Sequence, residues 1–124
     1  MSPRGPEGAL ISRILARHGS RPDLRLWRNE VGVFFAGRIV AELADGCIVL
    51  SGKARVSAGL CKGSADLIGI HGDGGRFIAL EVKTGKVRLA PEQKRYLDLI
   101  TSMGGIAAVV RSVDDVDGVL GEPT

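Results

Sequence analysis

With 124 residues, 44% of them hydrophobic and 25% charged, the chain has room for one compact domain around a single core and none for a second. Its net charge of +3 and isoelectric point near 9.2 suit a polyanionic partner without demanding one. Cys47 and Cys61 lie far apart, with no CxxC and no paired histidines nearby, so neither a zinc site nor a disulfide framework is indicated. No segment has the length or apolarity of a signal peptide or a membrane span, and a soluble protein of a reducing cytoplasm is expected. The charge is uneven: Arg4, Arg13, Arg17, Arg21, Arg25, Arg28 and Arg38 crowd the first third, whereas Asp114, Asp115, Asp117 and Glu122 close the chain. The basic part is the expected phosphate-facing part.

Residues 1–6 read as a flexible lead-in and residues 7–120 as a single domain. Ala9, Leu10, Ile14 and Leu15 recur at helical spacing up to a stop at His18-Gly19, with Glu7 near the helix start. From Leu24 to Ser51 the runs LRLWR, GVFFAGRIVAEL and GCIVLSG predict two or three strands, broken at Asn29–Gly32 and Asp45-Gly46. The polar, glycine-containing stretch Lys53–Ala65 predicts a basic loop feeding a strand that begins at Asp66. DLIGIH and RFIALEVK around Gly72-Asp73-Gly74-Gly75 are the clearest hairpin signal. Pro91 opens a second helix with Leu97, Ile100 and Met103 on one face and a Gly104-Gly105 stop. IAAVVR, almost continuously apolar, predicts an interior strand, and SVDDVDGVL an acidic turn or short helix. This order gives an α/β or α+β layered fold, a mixed sheet with helices on its faces.

The residues able to do chemistry gather in one hairpin. Asp66 heads one strand, and Glu81-Val82-Lys83 ends the next. Side chains alternate along a strand, so Glu81 and Lys83 share one face while Ile78, Leu80 and Val82 point the other way, into the core. If Asp66 faces the same way, two carboxylates and an ammonium meet. Hard divalent cations bind through a few carboxylates, a backbone carbonyl and retained water, and Asp66, Glu81 and the Val82 carbonyl could supply that set. A bound metal would activate water and neutralise charge on a scissile phosphate, with Lys83 orienting the nucleophile or stabilising the transition state. An Asp, a Glu and a Lys on adjacent strands also make an ordinary solvated salt bridge, so context must decide.

That context is an ordered run of four blocks, GSADLIG, FIALEVKTG, LAPEQKRYL and GG. In this run the chain resembles the VRR-NUC family of the PD-(D/E)XK nuclease superfamily, over roughly Glu7 to Val113 and most densely from Gly59 to Gly105. The resemblance implies a restriction-endonuclease-like core, Mg²⁺ or Mn²⁺ as cofactor, and hydrolysis of DNA phosphodiester bonds. It further implies a likeness to phage and bacterial homodimers that act on branched DNA, including four-way (Holliday) junctions, in a bacterial or phage-infected cell. Carried over by position, the motif acids are Asp66 and Glu81, the motif lysine is Lys83, the helix-borne glutamine is Gln93 and the first-helix acid is Glu7. The superfamily's Pro-Asp here reads Ala65-Asp66, which leaves the ligand itself in place.

Glu7 could instead serve its helix dipole, and Gln93 could be an ordinary first-turn polar residue. Lys53, Arg55 and Lys62 ahead of Asp66, with Lys86 and Arg88 on the other side, are the candidates for contacting DNA phosphates without reading sequence, or are simply solvated. Trp27 and Tyr96 are expected in the core rather than stacked on bases, and His18 and His71 have no assigned role. Val33, Phe34, Phe35, Ile48 and Val49 are either core or a dimer surface. Homodimerisation is expected because one active site cannot cut two strands symmetrically. The rival readings are a non-catalytic or accessory nucleic-acid-binding module of the same fold, a sequence-specific restriction-type enzyme, for which the chain is short, and a subunit that uses its sheet edge for protein contacts.

Overall fold

A computed structural model describes residues 5–124, apart from the side chain of Lys53. Its elements in chain order are α1 (Gly5–His18), β1 (Leu24–Arg28), β2 (Gly32–Glu42), β3 (Ile48–Ala58), β4 (Leu67–His71), β5 (Arg76–Val82), α2 (Pro91–Ser102), β6 (Ile106–Val110) and α3 (Val113–Leu120). Four strands form a sheet in the order β1-β4-β5-β6; β1, β4 and β5 pair antiparallel, and β6 joins β5 in parallel. Helix α2 supplies the crossover that a parallel pair requires. The result is the mixed sheet with flanking helices of a restriction-endonuclease-like α/β fold.

Strand alternation divides the core in two. Leu67, Ile78, Leu80, Val82 and Val110 face Leu10, Ile11 and Ile14 of α1 and Val116 and Leu120 of α3. On the opposite face Ala65 and Ala79 pack against Leu97 of α2, with Tyr96 and Ile100 at the margin. Glu81 is two residues from Ala79, so it lies on the face that α2 covers. The small side chain of Ala79 lets the helix approach that carboxylate.

Strands β2 and β3 form a separate two-stranded ribbon, with Phe34 opposite Val56 and Ile39 opposite Leu50. Val33, Phe34, Phe35, Ile48 and Val49 are all exposed there, so they are not core. Several expectations give way. Lys53 to Ala58 is strand, because the ladder to β2 continues past Gly52, and only residues 59–66 connect β3 to β4. β6 is an edge strand; its apolar sequence reflects helices on both of its faces, not strands on both sides. Trp27 is 53% exposed on the edge strand β1. Gly5 and Pro6 already belong to α1, whereas Arg4 and the rest of the expected lead-in lie outside the described residues.

Part of the basic first third is engaged in holding the fold together, with Arg21 buried and exposed Arg17 paired to an acid. Arg17 pairs with Asp117 of α3 through two hydrogen bonds of 2.9 Å, and buried His18 contacts the same carboxylate at 2.7 Å. Arg21, also buried, binds Asp23 and the carbonyl of Gly121. Because Arg21 can only donate, His18 Nδ1 accepts from it at 3.0 Å, which leaves Nε2–H to donate to Asp117. Burial holds the imidazole below its ordinary pKa, so it remains neutral in this network.

Candidate active site

The register that sets Leu67 opposite Leu80 brings Asp66, just ahead of β4, level with Glu81 near the end of β5. Asp66 lies where the β4 ladder begins, and its Oδ2 accepts a 2.8 Å hydrogen bond from the Val82 N–H. The carboxylate thus takes the place of a backbone acceptor at the end of the hairpin.

Glu81 is only 3% exposed. Its Oε1 accepts from Gln93 Nε2 at 3.1 Å and lies 3.8 Å from Lys83 Nζ, whereas its Oε2 is buried with no hydrogen-bond partner among the described residues. Burial first, and then the adjacent Asp66 carboxylate, push the Glu81 pKa up to about 8; Lys83 opposes the shift and Glu7 adds to it. An acceptor that is buried, unpaired and beside a second carboxylate is costly unless a cation or proton occupies the site.

Gln93 sits in the first turn of α2, and its Oε1 accepts from the Ala90 N–H at 2.8 Å. Since that backbone group can only donate, the amide orientation is fixed and Nε2 must face Glu81. The same side chain therefore closes the helix start and positions the acid. Lys83 is mostly buried and anchored through its own N–H to the Val110 carbonyl at 3.1 Å. Half-buried Glu7, in the first turn of α1, has its pKa raised by burial and then by Asp66, with Lys83 working against both. Glu7 thus belongs to the same electrostatic cluster. Among the described residues, however, no three His, Cys, Asp or Glu side chains form a ready metal cage.

Asn29 went unnoticed in the sequence as anything more than a strand break. It is buried, and its Nδ2 donates to Ser64 Oγ at 2.8 Å and to the Ala65 carbonyl at 2.9 Å, while its Oδ1 accepts from Leu60 N–H at 3.1 Å. Its own N–H donates to the Asp66 carbonyl at 2.8 Å. One side chain therefore fixes the connection that delivers Asp66. Gly63 permits the close approach of that connection to α2: its φ is +87°, and a Cβ there would lie 2.8 Å from the Glu92 carbonyl oxygen.

A groove of about 380 Å³ opens over the cluster. Asp66, Glu81 and Gln93 line it together with Arg28, Asn29, Val31 and Phe34. Arg55 on β3, Lys62 on the connection and Lys86 and Arg88 after β5 are exposed, but none of them lines this groove, and the side chain of Lys53 lies outside the described residues. Arg28, part of the basic first third, was not singled out as a groove residue in the sequence, and neither was Phe34.

Comparison with curated proteins finds no match. A family model does match: the VRR-NUC domain, over residues 47–114, more than half of the chain and inclusive of Asp66, Glu81, Lys83 and Gln93. With its restriction-endonuclease-like fold, the chain belongs to the VRR-NUC family, a nuclease-type domain with DNA as its substrate.

Proposed function

We propose that this protein is a metal-dependent DNA endonuclease that hydrolyses phosphodiester bonds through Asp66, Glu81 and Lys83, with Gln93 and Glu7 in support. The observation that carries the reading is the buried Glu81 carboxyl, one oxygen held by Gln93 and the other without a partner among the described residues, beside Asp66. That donor set fits Mg²⁺ or Mn²⁺, which take few protein ligands and complete their shell with water and substrate phosphate. Asp66, Glu81 and the Val82 carbonyl would hold the ion, with Glu7 contributing from α1. When bound, the ion lowers the pKa of a coordinated water and neutralises charge on the scissile phosphate.

The chain's own residues do the rest. Gln93 fixes Glu81 Oε1 and so leaves Oε2 as the inward donor. The Val82 N–H fixes one Asp66 oxygen in the same way. Lys83 offers a positive charge, largely shielded from solvent, to the attacking oxygen or to the phosphoryl oxygens as charge builds there. Arg55, Lys62, Lys86 and Arg88, all exposed, would position the DNA backbone.

The proposed substrate is branched DNA such as a four-way junction, and the proposed working unit a homodimer. A ribbon of two strands is marginal alone, and this one exposes Val33, Ile39 and Ile48 at 44%, 59% and 48%. A second copy laid against the ribbon would cover them and relate two sites by a two-fold axis. Cleavage of labelled four-way junction, flap, single-stranded and linear duplex DNA, each with Mg²⁺, Mn²⁺ or EDTA, tests the reading. Metal-dependent cutting ranked highest on branched substrates supports it. DNA binding with no cutting under either metal replaces it with the binding-module reading.

A further inference from the structure

The groove over the carboxylates is mixed in chemistry. Asp66 and Glu81 give its lining an acidic part, Ile11, Val31 and Phe34 an apolar part, and Arg28 is the only cation among the described residues that line it. Phe34 comes from the base of the β2–β3 ribbon and is 42% exposed, although it borders a site that holds two carboxylates. Arg28, at the end of β1, is half-buried and donates from Nη2 to Ser12 Oγ at 3.2 Å. A guanidinium has five N–H donors, so this tether fixes the head without exhausting it.

From this arrangement we infer a nucleotide subsite beside the acidic cluster, in which Phe34 stacks against an unpaired nucleobase and Arg28 holds a phosphate of the same strand. The inference rests on the nuclease reading of the site. A scissile phosphate at the carboxylates leaves its neighbouring nucleotide within the same groove, whose lining includes apolar side chains and one aromatic ring. Within a duplex both faces of a base are covered by its neighbours, so only an unstacked nucleotide can offer one to Phe34. Every base has such a face, which makes the contact tolerant of sequence. The exposed acid Glu30 borders the same groove and repels phosphate there, so the backbone is directed along the Arg28 side. Specificity for branched DNA then arises at the cut itself, from the unpaired nucleotides that a flap supplies and that a four-way junction supplies when base pairs open at its branch point. Arg28 and Phe34 both lie outside the stretch matched by the family model.

The test uses the full chain and DNA carrying 2-aminopurine at an unpaired position next to a branch, compared with the same probe inside a linear duplex, in EDTA so that no cutting occurs. Wild type quenches the unpaired probe and leaves the duplex probe unchanged; Phe34→Leu, which keeps bulk but loses the ring, abolishes the quench, and Phe34→Trp retains it. Arg28→Gln weakens binding of the unpaired substrate about fivefold to tenfold and lowers the salt slope by about one. With Mn²⁺, Phe34→Leu slows cutting of the unpaired substrate about tenfold more than that of a duplex. An unchanged quench in Phe34→Leu, or equal quenching of the duplex probe, overturns the subsite. Loss of cutting in wild type with the quench preserved would instead refute the nuclease reading and leave the subsite standing.

Discussion

Replacing Glu81 with glutamine should make the metal-free protein more stable at alkaline pH. The Glu81 carboxyl titrates near 8 in the fold, against 4.5 for an ordinary glutamate, because burial and then Asp66 disfavour its charge. Between those two values the folded chain holds a proton that the unfolded chain has released. The stabilising contribution is therefore fully present below 4.5, declines as pH rises, and is lost on passing about 8. Raising a carboxyl over that interval corresponds to at most about 5 kcal/mol. Glu81→Gln keeps the shape and the acceptor for Gln93, yet has no proton to lose. Urea unfolding in EDTA at about pH 5 and about pH 8.5 should show wild type losing roughly 2 to 5 kcal/mol relative to the variant. Mn²⁺ should restore wild type at the higher pH and leave the variant unchanged, because the ion takes the place of the missing proton. Parallel pH dependence in the two proteins would refute the claim that Glu81 is buried without compensation.

Three further outcomes follow from the same geometry. Asn29→Ala strands the partners it binds at Leu60, Ser64 and Ala65 and should cost about 2 to 3 kcal/mol in urea unfolding, with cleavage lost in proportion as Asp66 loosens. Gln93→Leu removes the donor to Glu81 Oε1 and the acceptor for Ala90 N–H; single-turnover cutting should slow by about 10- to 100-fold, with DNA affinity unchanged. Ile39→Glu places a charge on the exposed ribbon and should give a monomer by analytical ultracentrifugation while the far-ultraviolet spectrum stays unchanged.

The sheet that carries the site was legible because its signals are local. Alternation in RFIALEVK sets Glu81 opposite in sense to Leu80 and Val82, and the Gly-rich turn brings Asp66 level with it. Gln93 was legible from its spacing to Leu97 and from the family blocks. Asn29 was not, since its work consists of hydrogen bonds to residues more than thirty positions away, which no local pattern encodes. The β3 strand beyond Gly52 was hidden for a similar reason: its residues alternate poorly, and pairing with β2 decides their conformation. Trp27 and the ribbon were judged by hydrophobicity, which records what a surface avoids and not whether the same chain covers it. The edge position of β6 escaped because helices on two faces and strands on two sides give the same apolar run.

Cleavage of a four-way junction by wild type, Glu81→Ala and Lys83→Ala, each in Mn²⁺ and in EDTA, bears most directly on the central claim. Cutting by wild type in Mn²⁺ alone, abolished by either substitution while junction binding persists, is the predicted result. Undiminished cutting by Glu81→Ala, or cutting by wild type in EDTA, would contradict it.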